Sequence, residues 1–189
     1  MLRASDYAVR PIAHADAAAF IREHHYARGC ANTSVLATGL FLGAVLVGAS
    51  LWMPPTRVCG ESVAGSGWRG VLALSRLAVA PEVPTNGASF LIGRSIRLLR
   101  RDPRWTHLVT YADESQGHTG AIYLATNWTP QGRTRPEARW LTSDGVQVAR
   151  KAGRSRTRAE MEALGHRLEG RHTKLKFTMA LRQAPRGTP

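Results

Sequence analysis

The densest run of reactive side chains lies between Tyr111 and Trp128. It reads Tyr111-Ala112-Asp113, then Gly117-His118-Thr119-Gly120-Ala121-Ile122-Tyr123, then Ala125-Thr126-Asn127-Trp128. A carboxylate, an imidazole and a phenol so close in sequence suit proton transfer at a polar substrate. Asp113 has two open roles: a general base, or a group that orients His118. A purely structural pair is equally open, with Asp113 capping a helix and His118 exposed on its first turn. Gly117 and Gly120 would let the backbone come close to a ligand.

The elements that must position these groups follow from hydrophobic period. Residues 11–26 read as a helix that ends at His24-His25. Residues 35–42 and 44–53 are two apolar strands turning at Gly43. Residues 54–70, rich in Pro, Gly and Ser, read as a loop. Residues 71–80 are nearly all apolar, a strand buried on both faces. Arg76 sits in its middle, and a buried charge needs a partner. A helix over 86–100, a strand over 106–111 and a helix over 117–127 follow. A hairpin over 139–150 turns at Asp144-Gly145, and a helix over 157–164 and a strand over 174–181 complete the chain. This order gives a mixed α/β sheet flanked by crossover helices, one domain over residues 1–189. Asp113 then lies at the carboxyl end of a strand, where open α/β sheets bind ligands.

Charge narrows the partner. Lys and Arg number 26 against 13 Asp and Glu, and residues 129–189 hold 14 basic and 5 acidic residues, a net +9 of the total +13. Arginine dominates this excess, and its fork matches phosphate geometry, so the basic last third is expected to bind nucleic acid. Cys30 and Cys59 form no CxxC pair, which excludes a disulfide framework and a zinc signature. The apolar stretch 35–53 is interrupted by Gly39, Gly43, Gly48 and Ser50, which suits a hairpin rather than a membrane span. The expected address is the cytoplasm, with no membrane partner.

The pattern YAD…GHxGxIYxAxNW resembles the signature of the Mom family of DNA modification proteins, relatives of the GNAT acyltransferase superfamily. The resemblance extends to His25-Tyr26, to Leu74-Ser75-Arg76-Leu77 and to Ser89, and so spans most of the chain from Glu23 to Trp128. It implies a single GNAT-like fold and conversion of adenine in DNA to an N6-carbamoylmethyl derivative, which blocks restriction. His25, Tyr26, Arg76, Ser89, Asp113 and Tyr123 match the family's polar residues. The family's His, Tyr and Asp imply iron, which His25 and Asp113, with His24 or His118, would hold. An adenine inside a duplex is out of reach, so the base must flip. Tyr26, Tyr123, Trp128 and Trp68 are candidates to stack on it, and His118 and Asn127 to bind it. Asp113 would accept the amine's proton, and Arg76 or Ser89 would stabilise the carbonyl oxygen.

The donor is open between an acyl-CoA and glycyl-tRNA. GNAT enzymes hold coenzyme A on a glycine-rich loop after the long strand. Here that loop is Pro81-Glu82-Val83-Pro84-Thr85-Asn86-Gly87, in which two prolines remove amide donors and Glu82 repels phosphate. Two other readings remain: an N-acetyltransferase acting on a small molecule or protein, and a non-catalytic DNA-binding protein on a GNAT scaffold.

Overall fold

The computed structural model describes residues 3–148, 151–152 and 154–182. Its frame is a seven-stranded sheet in the order β1-β2-β3-β4-β5-β12-β6. Strands β1 (Tyr7–Pro11), β2 (Leu36–Leu42), β3 (Val45–Met53) and β4 (Val71–Val79) run antiparallel, each to the next. Gly43, at φ +58, turns the β2–β3 hairpin in a conformation that favours glycine. Helix α1 (His14–His24) buries Ala17, Phe20 and Ile21 against Ala37, Ala49, Leu51 and Ala78. After β4 the chain crosses through α3 (Gly87–Leu99) to β5 (His107–Asp113), which runs parallel to β4. Ile92, Ile96 and Leu99 of α3 pack on Leu72, Leu74 and Leu108 on the face opposite α1.

Two departures from regularity in β4 shape the centre of the molecule. The β3–β4 register passes from Leu51↔Arg76 to Trp52↔Leu74, so Ser75 is an extra residue, a bulge. A one-residue slip exchanges faces. Leu72 and Leu74 therefore face α3, whereas Arg76 shares the α1 side with Ala78. In addition, β4 and β5 pair only from Val71↔His107 to Ala73↔Val109. Beyond these residues the two strands separate and leave a notch.

Helix α4 (Ala121–Leu124) follows β5, and β6 (Thr129–Arg133) and β12 (Lys174–Ala180) close the sheet as antiparallel neighbours. Between them lies a segment with its own layer: β7 (Glu137–Leu141), β8 (Gln147–Val148), β9 (Lys151–Ala152), β10 (Arg154–Ser155), α5 (Arg158–Ala163) and β11 (Arg167–His172). Strands β11, β7 and β8 form a separate three-stranded sheet, and β10 pairs with β9. The segment leaves and rejoins the frame at one point, where Thr134 N donates to Lys174 O at 2.9 Å and Lys174 N to Thr134 Oγ1 at 3.0 Å.

Several expected elements change. The first helix starts at His14, because Pro11 belongs to edge strand β1, where a missing N–H is tolerated. Residues 54–70 are not a loop: α2 (Arg57–Ala64) starts at Thr56, whose side chain accepts from Cys59 N, and a 3₁₀ turn, Gly65–Gly70, follows. The helix expected over 117–127 shrinks to the single turn of α4, bracketed by Gly120 at φ +79 and Asn127 at φ +64. The hairpin expected over 139–150 is seen as β7 and β8 turning at Gly145, with 149–150 outside the described residues. Among the described residues no helix is long and apolar enough to cross a membrane.

Candidate active site

The notch between β4 and β5 opens into a cavity of about 1320 Å³. Each wall comes from a different element. The end of α1 gives His25 and Tyr26, the bulged strand gives Ser75 and Arg76, β5 gives Tyr111 and Asp113, and the signature loop and α4 give His118 and Tyr123. The α3 side is apolar, with Leu74, Leu77, Val79, Ala88 and Ile122. The opposite bank belongs to α2 and β12, with Cys59, Ser62, Lys174 and Lys176.

Arg76 is half-buried and has no carboxylate partner among the described residues. Its Nε donates to Gly29 O at 2.7 Å and its Nη1 to Ser75 O at 2.7 Å. A guanidinium carries five N–H donors, so most remain for a ligand. The contact to Gly29 also holds the loop after α1, which carries His25 and Tyr26. His25 Nδ1 accepts from Ala27 N at 3.1 Å, which leaves the ring proton on Nε2 of the neutral form. Burial, Arg76 and His118 lower its pKa to about 4. His25 is therefore a neutral donor at pH 7. Tyr26 stacks on His25 at 4.3 Å and meets His118 edge-on at 5.6 Å. Burial and the Asp113 charge raise the Tyr26 phenol, and burial raises that of Tyr123, so both keep their protons.

Asp113 is 4% exposed. Its carboxylate accepts from Ser115 Oγ at 2.5 Å, Ser115 N at 3.2 Å and Arg139 Nη2 at 3.0 Å. Arg139 also binds Ser115 Oγ, and its side chain is 10% exposed. Burial disfavours the Asp113 anion, but Ser115, Arg139 and Lys174 outweigh burial and hold its pKa below the usual carboxylate value. Such a carboxylate is a weak base and a strong hydrogen-bond acceptor. Asp113 also caps the 3₁₀ turn that follows it, as its capping expectation has it.

Of the residues expected from sequence, His25, Tyr26, Arg76, Asp113, His118 and Tyr123 line the cavity together. Others lie elsewhere. Ser89 Oγ donates to Asn86 O on the first turn of α3. Asn127 is exposed and ends α4. Trp128 is 3% exposed and stacks on Trp52 inside the core, so no face is open to a base. Trp68 lies between Arg57 and Arg69 and packs on Gly60, away from the cavity lining. The iron set is not assembled. Among the described residues no three His, Cys, Asp or Glu groups cluster to hold a metal ion. Asp113 is engaged by a guanidinium whose charge opposes a cation, and His24 turns to Glu23 and Phe20.

Sequence spacing missed Arg139, which is distant in the chain and reaches Asp113 only because β7 folds back over the notch. It also missed the contact of Cys59 Sγ with Tyr111 Oη at 3.0 Å, since α2 was not expected. Burial and the Cys59 contact raise the Tyr111 phenol as well. Ahead of α3 and at its first residue, four positions offer no free amide to a phosphate. Pro81 and Pro84 have no amide proton, and the amides of Val83 and Gly87 are spent on Ala80 O and Pro84 O.

A model of the Mom protein family matches residues 6–182. This chain belongs to the Mom protein family. It is 33% identical over 117 residues to the methylcarbamoylase mom of Escherichia phage Mu, a match covering 57% of this chain and 46% of that protein. The chain thus spans about half the length of that curated relative. Solved structures share the frame of this Mom family member at low identity. The ribosomal-protein-S18-alanine N-acetyltransferase of Escherichia coli superposes with a TM-score of 0.61 at 13% identity, covering 97% of this chain and 99% of that one. The spermidine N-acetyltransferase of Vibrio cholerae, in complex with CoA and spermine, gives 0.57 at 9% identity, covering 94% and 96%. A GNAT family acetyltransferase of Elizabethkingia anophelis with acetyl-CoA bound gives 0.54 at 11%, covering 93% and 98%. These likenesses show a GNAT fold, a mostly antiparallel central sheet flanked by helices.

Proposed function

We propose that this Mom family member transfers an acyl group to the exocyclic amine of adenine in DNA. One observation carries the reading: five of the six residues that match the family's polar set, from α1, β4, β5 and α4, meet with His118 of the signature loop in one cavity at the strand notch. The amine nitrogen attacks the carbonyl carbon of an activated ester or thioester. The C–N bond forms, the carrier oxygen or sulfur leaves with the electron pair, and the proton lost from nitrogen is taken up by the departing carrier or by water. Asp113 accepts a hydrogen bond from the amine and stabilises the positive charge that nitrogen acquires as it attacks. Arg76 donates to the carbonyl oxygen as it becomes an oxyanion. Neutral His25 and protonated Tyr26 and Tyr123 donate hydrogen bonds and shape the slot for a flipped base.

A glycyl ester, as in glycyl-tRNA, balances the atoms of a carbamoylmethyl product. The adenine amine first becomes an N6-glycyl amide. The glycyl amine then attacks C6 through a five-membered ring, and the original nitrogen leaves C6 as a carboxamide. The prolines before α3 favour this donor over coenzyme A. The protein, DNA and either glycyl-tRNA or acetyl-CoA are incubated, and hydrolysed nucleosides are analysed by mass spectrometry. The expected product is a heavier deoxyadenosine in the glycyl-tRNA arm. Product in the acetyl-CoA arm alone overturns the donor. Unmodified DNA in both arms, with acetylation of a polyamine or peptide instead, overturns the function.

A further inference from the structure

We infer that the α2–β12 bank of the cavity grips a phosphodiester of the acceptor DNA strand through Lys174, Lys176 and Arg135. This rests on the reading of DNA as acceptor. Strand β12 pairs Lys174 with Asp113 and Lys176 with Tyr111, so both lysines share the face of β5 that carries the reactive groups. Lys176 Nζ donates to Ser62 Oγ at 2.8 Å and ties β12 to α2 across the bank. Ser62 Oγ already donates to Cys59 O, so toward Lys176 it is the acceptor. Arg135 lines the same cavity, is exposed, and has no carboxylate partner among the described residues. The bank holds one carboxylate, Glu137, which is exposed and 3.9 Å from Lys174 Nζ. Three cations therefore meet loosely held Glu137 and an Asp113 whose charge Arg139 already offsets. Like charges gathered on a concave wall repel unless an anion occupies it, and such a wall concentrates anions.

The α3 bank across the notch is apolar and suits an acyl carrier's uncharged part. A flipped nucleotide stays bonded to its phosphates, so an adenine beside Asp113 brings a phosphate to the cavity wall. The α2–β12 bank offers two lysine charges and an arginine fork at that wall.

The test measures DNA affinity against salt by fluorescence anisotropy, together with modification kinetics. Lys176→Gln is expected to weaken DNA binding several-fold and to lower the slope of log affinity on log salt by about 1. The triple variant K174Q/K176Q/R135Q should lower the slope by about 3, and raise the KM for DNA more than it lowers kcat. Lys176→Arg should restore the slope, and Arg94→Gln on the far helix should leave it unchanged. An unchanged slope in a folded triple variant, while the wild type modifies DNA, overturns the inference and leaves the function standing. A triple variant that loses donor affinity but keeps DNA affinity also overturns it, and assigns the bank to the donor's phosphates. If the wild type binds DNA with the expected slope losses yet leaves adenine unmodified, the function fails and the phosphate bank stands.

Discussion

The seven-stranded frame and the segment between β6 and β12 are held together by different physics. The frame buries Trp52, Leu72, Leu108, Ile92 and Phe177 in continuous apolar layers, and its strands are long. The inserted segment has short strands, and among its described residues Trp140 and Met161 are the buried apolar side chains. Ion pairs run through it: Arg154 with Glu160, Arg158 with Glu162 at 2.8 Å, and Arg139 with Asp113 at 3.0 Å. The first two pairs are exposed and contribute little. The third is buried, and it joins the two regions. A frame built on burial can hold a notch open in its middle. An insert built on charge gains its fixed position by completing that notch.

Breaking the joint should therefore have the largest effect. Arg139→Ala removes the guanidinium from a buried carboxylate that keeps its Ser115 hydrogen bonds and the Lys174 charge, and the expected loss is about 2–4 kcal/mol in urea denaturation. Modification should fall with it, and the double variant D113N/R139Q should recover stability but not activity. Gly120→Ala attacks the frame. Its methyl would lie 2.2 Å from Phe177 Cζ at φ +79, and the expected cost is about 2–4 kcal/mol in the same assay. A small effect there would mean that the signature loop moves freely, and the contrast between rigid frame and dependent insert would fail. Thr157→Ala removes the capping box of α5, with Glu160 N donating to Thr157 Oγ1 at 3.2 Å. It should cost about 1 kcal/mol. Loss of that size should appear as local hydrogen exchange in the insert while the frame stays protected.

A further expected effect is a pH dependence. Burial, Arg76 and His118 hold the folded pKa of His25 at about 4, below the ordinary imidazole value of 6.5. Between those values the unfolded chain binds more protons, so the contribution of His25 is present above about pH 6.5 and is lost as pH falls toward 4. The ring is half-buried, and solvent screening tempers the change. His25→Gln should flatten thermal stability over pH 6.5 to 4 relative to wild type.

The frame was legible where one physical signal dominated. Alternating or continuous apolar runs announced β2, β3, β4, α3, β5 and β12, because burial and period agree there. Helix α2 was hidden by composition. Gly60, Gly65, Gly67 and Gly70 read as breaks, although Thr56 after two prolines is a start signal, and Gly60 is small because Trp68 packs on it. Helix α4 was overextended because Ile122, Tyr123 and Leu124 look helical, while the left-handed conformation of Asn127 is not marked by its neighbours. Six site residues were visible as chemical types near one another in sequence or in the resembling motifs. Arg139, Lys174, Lys176 and Arg135 were visible only as net charge, since strand pairing alone decides which arginines of a basic segment reach the notch.

The hydrogen bonds between Thr134 and Lys174 carry one more consequence. They close the insert at its root, so the frame already holds its two ends together. The loop-closure entropy of whatever lies between is then nearly independent of its length, since it grows only with the logarithm of residue number. The middle of the segment can lengthen or shorten at little entropic cost, provided Arg139 still reaches Asp113 and Arg135 and Glu137 stay beside the root.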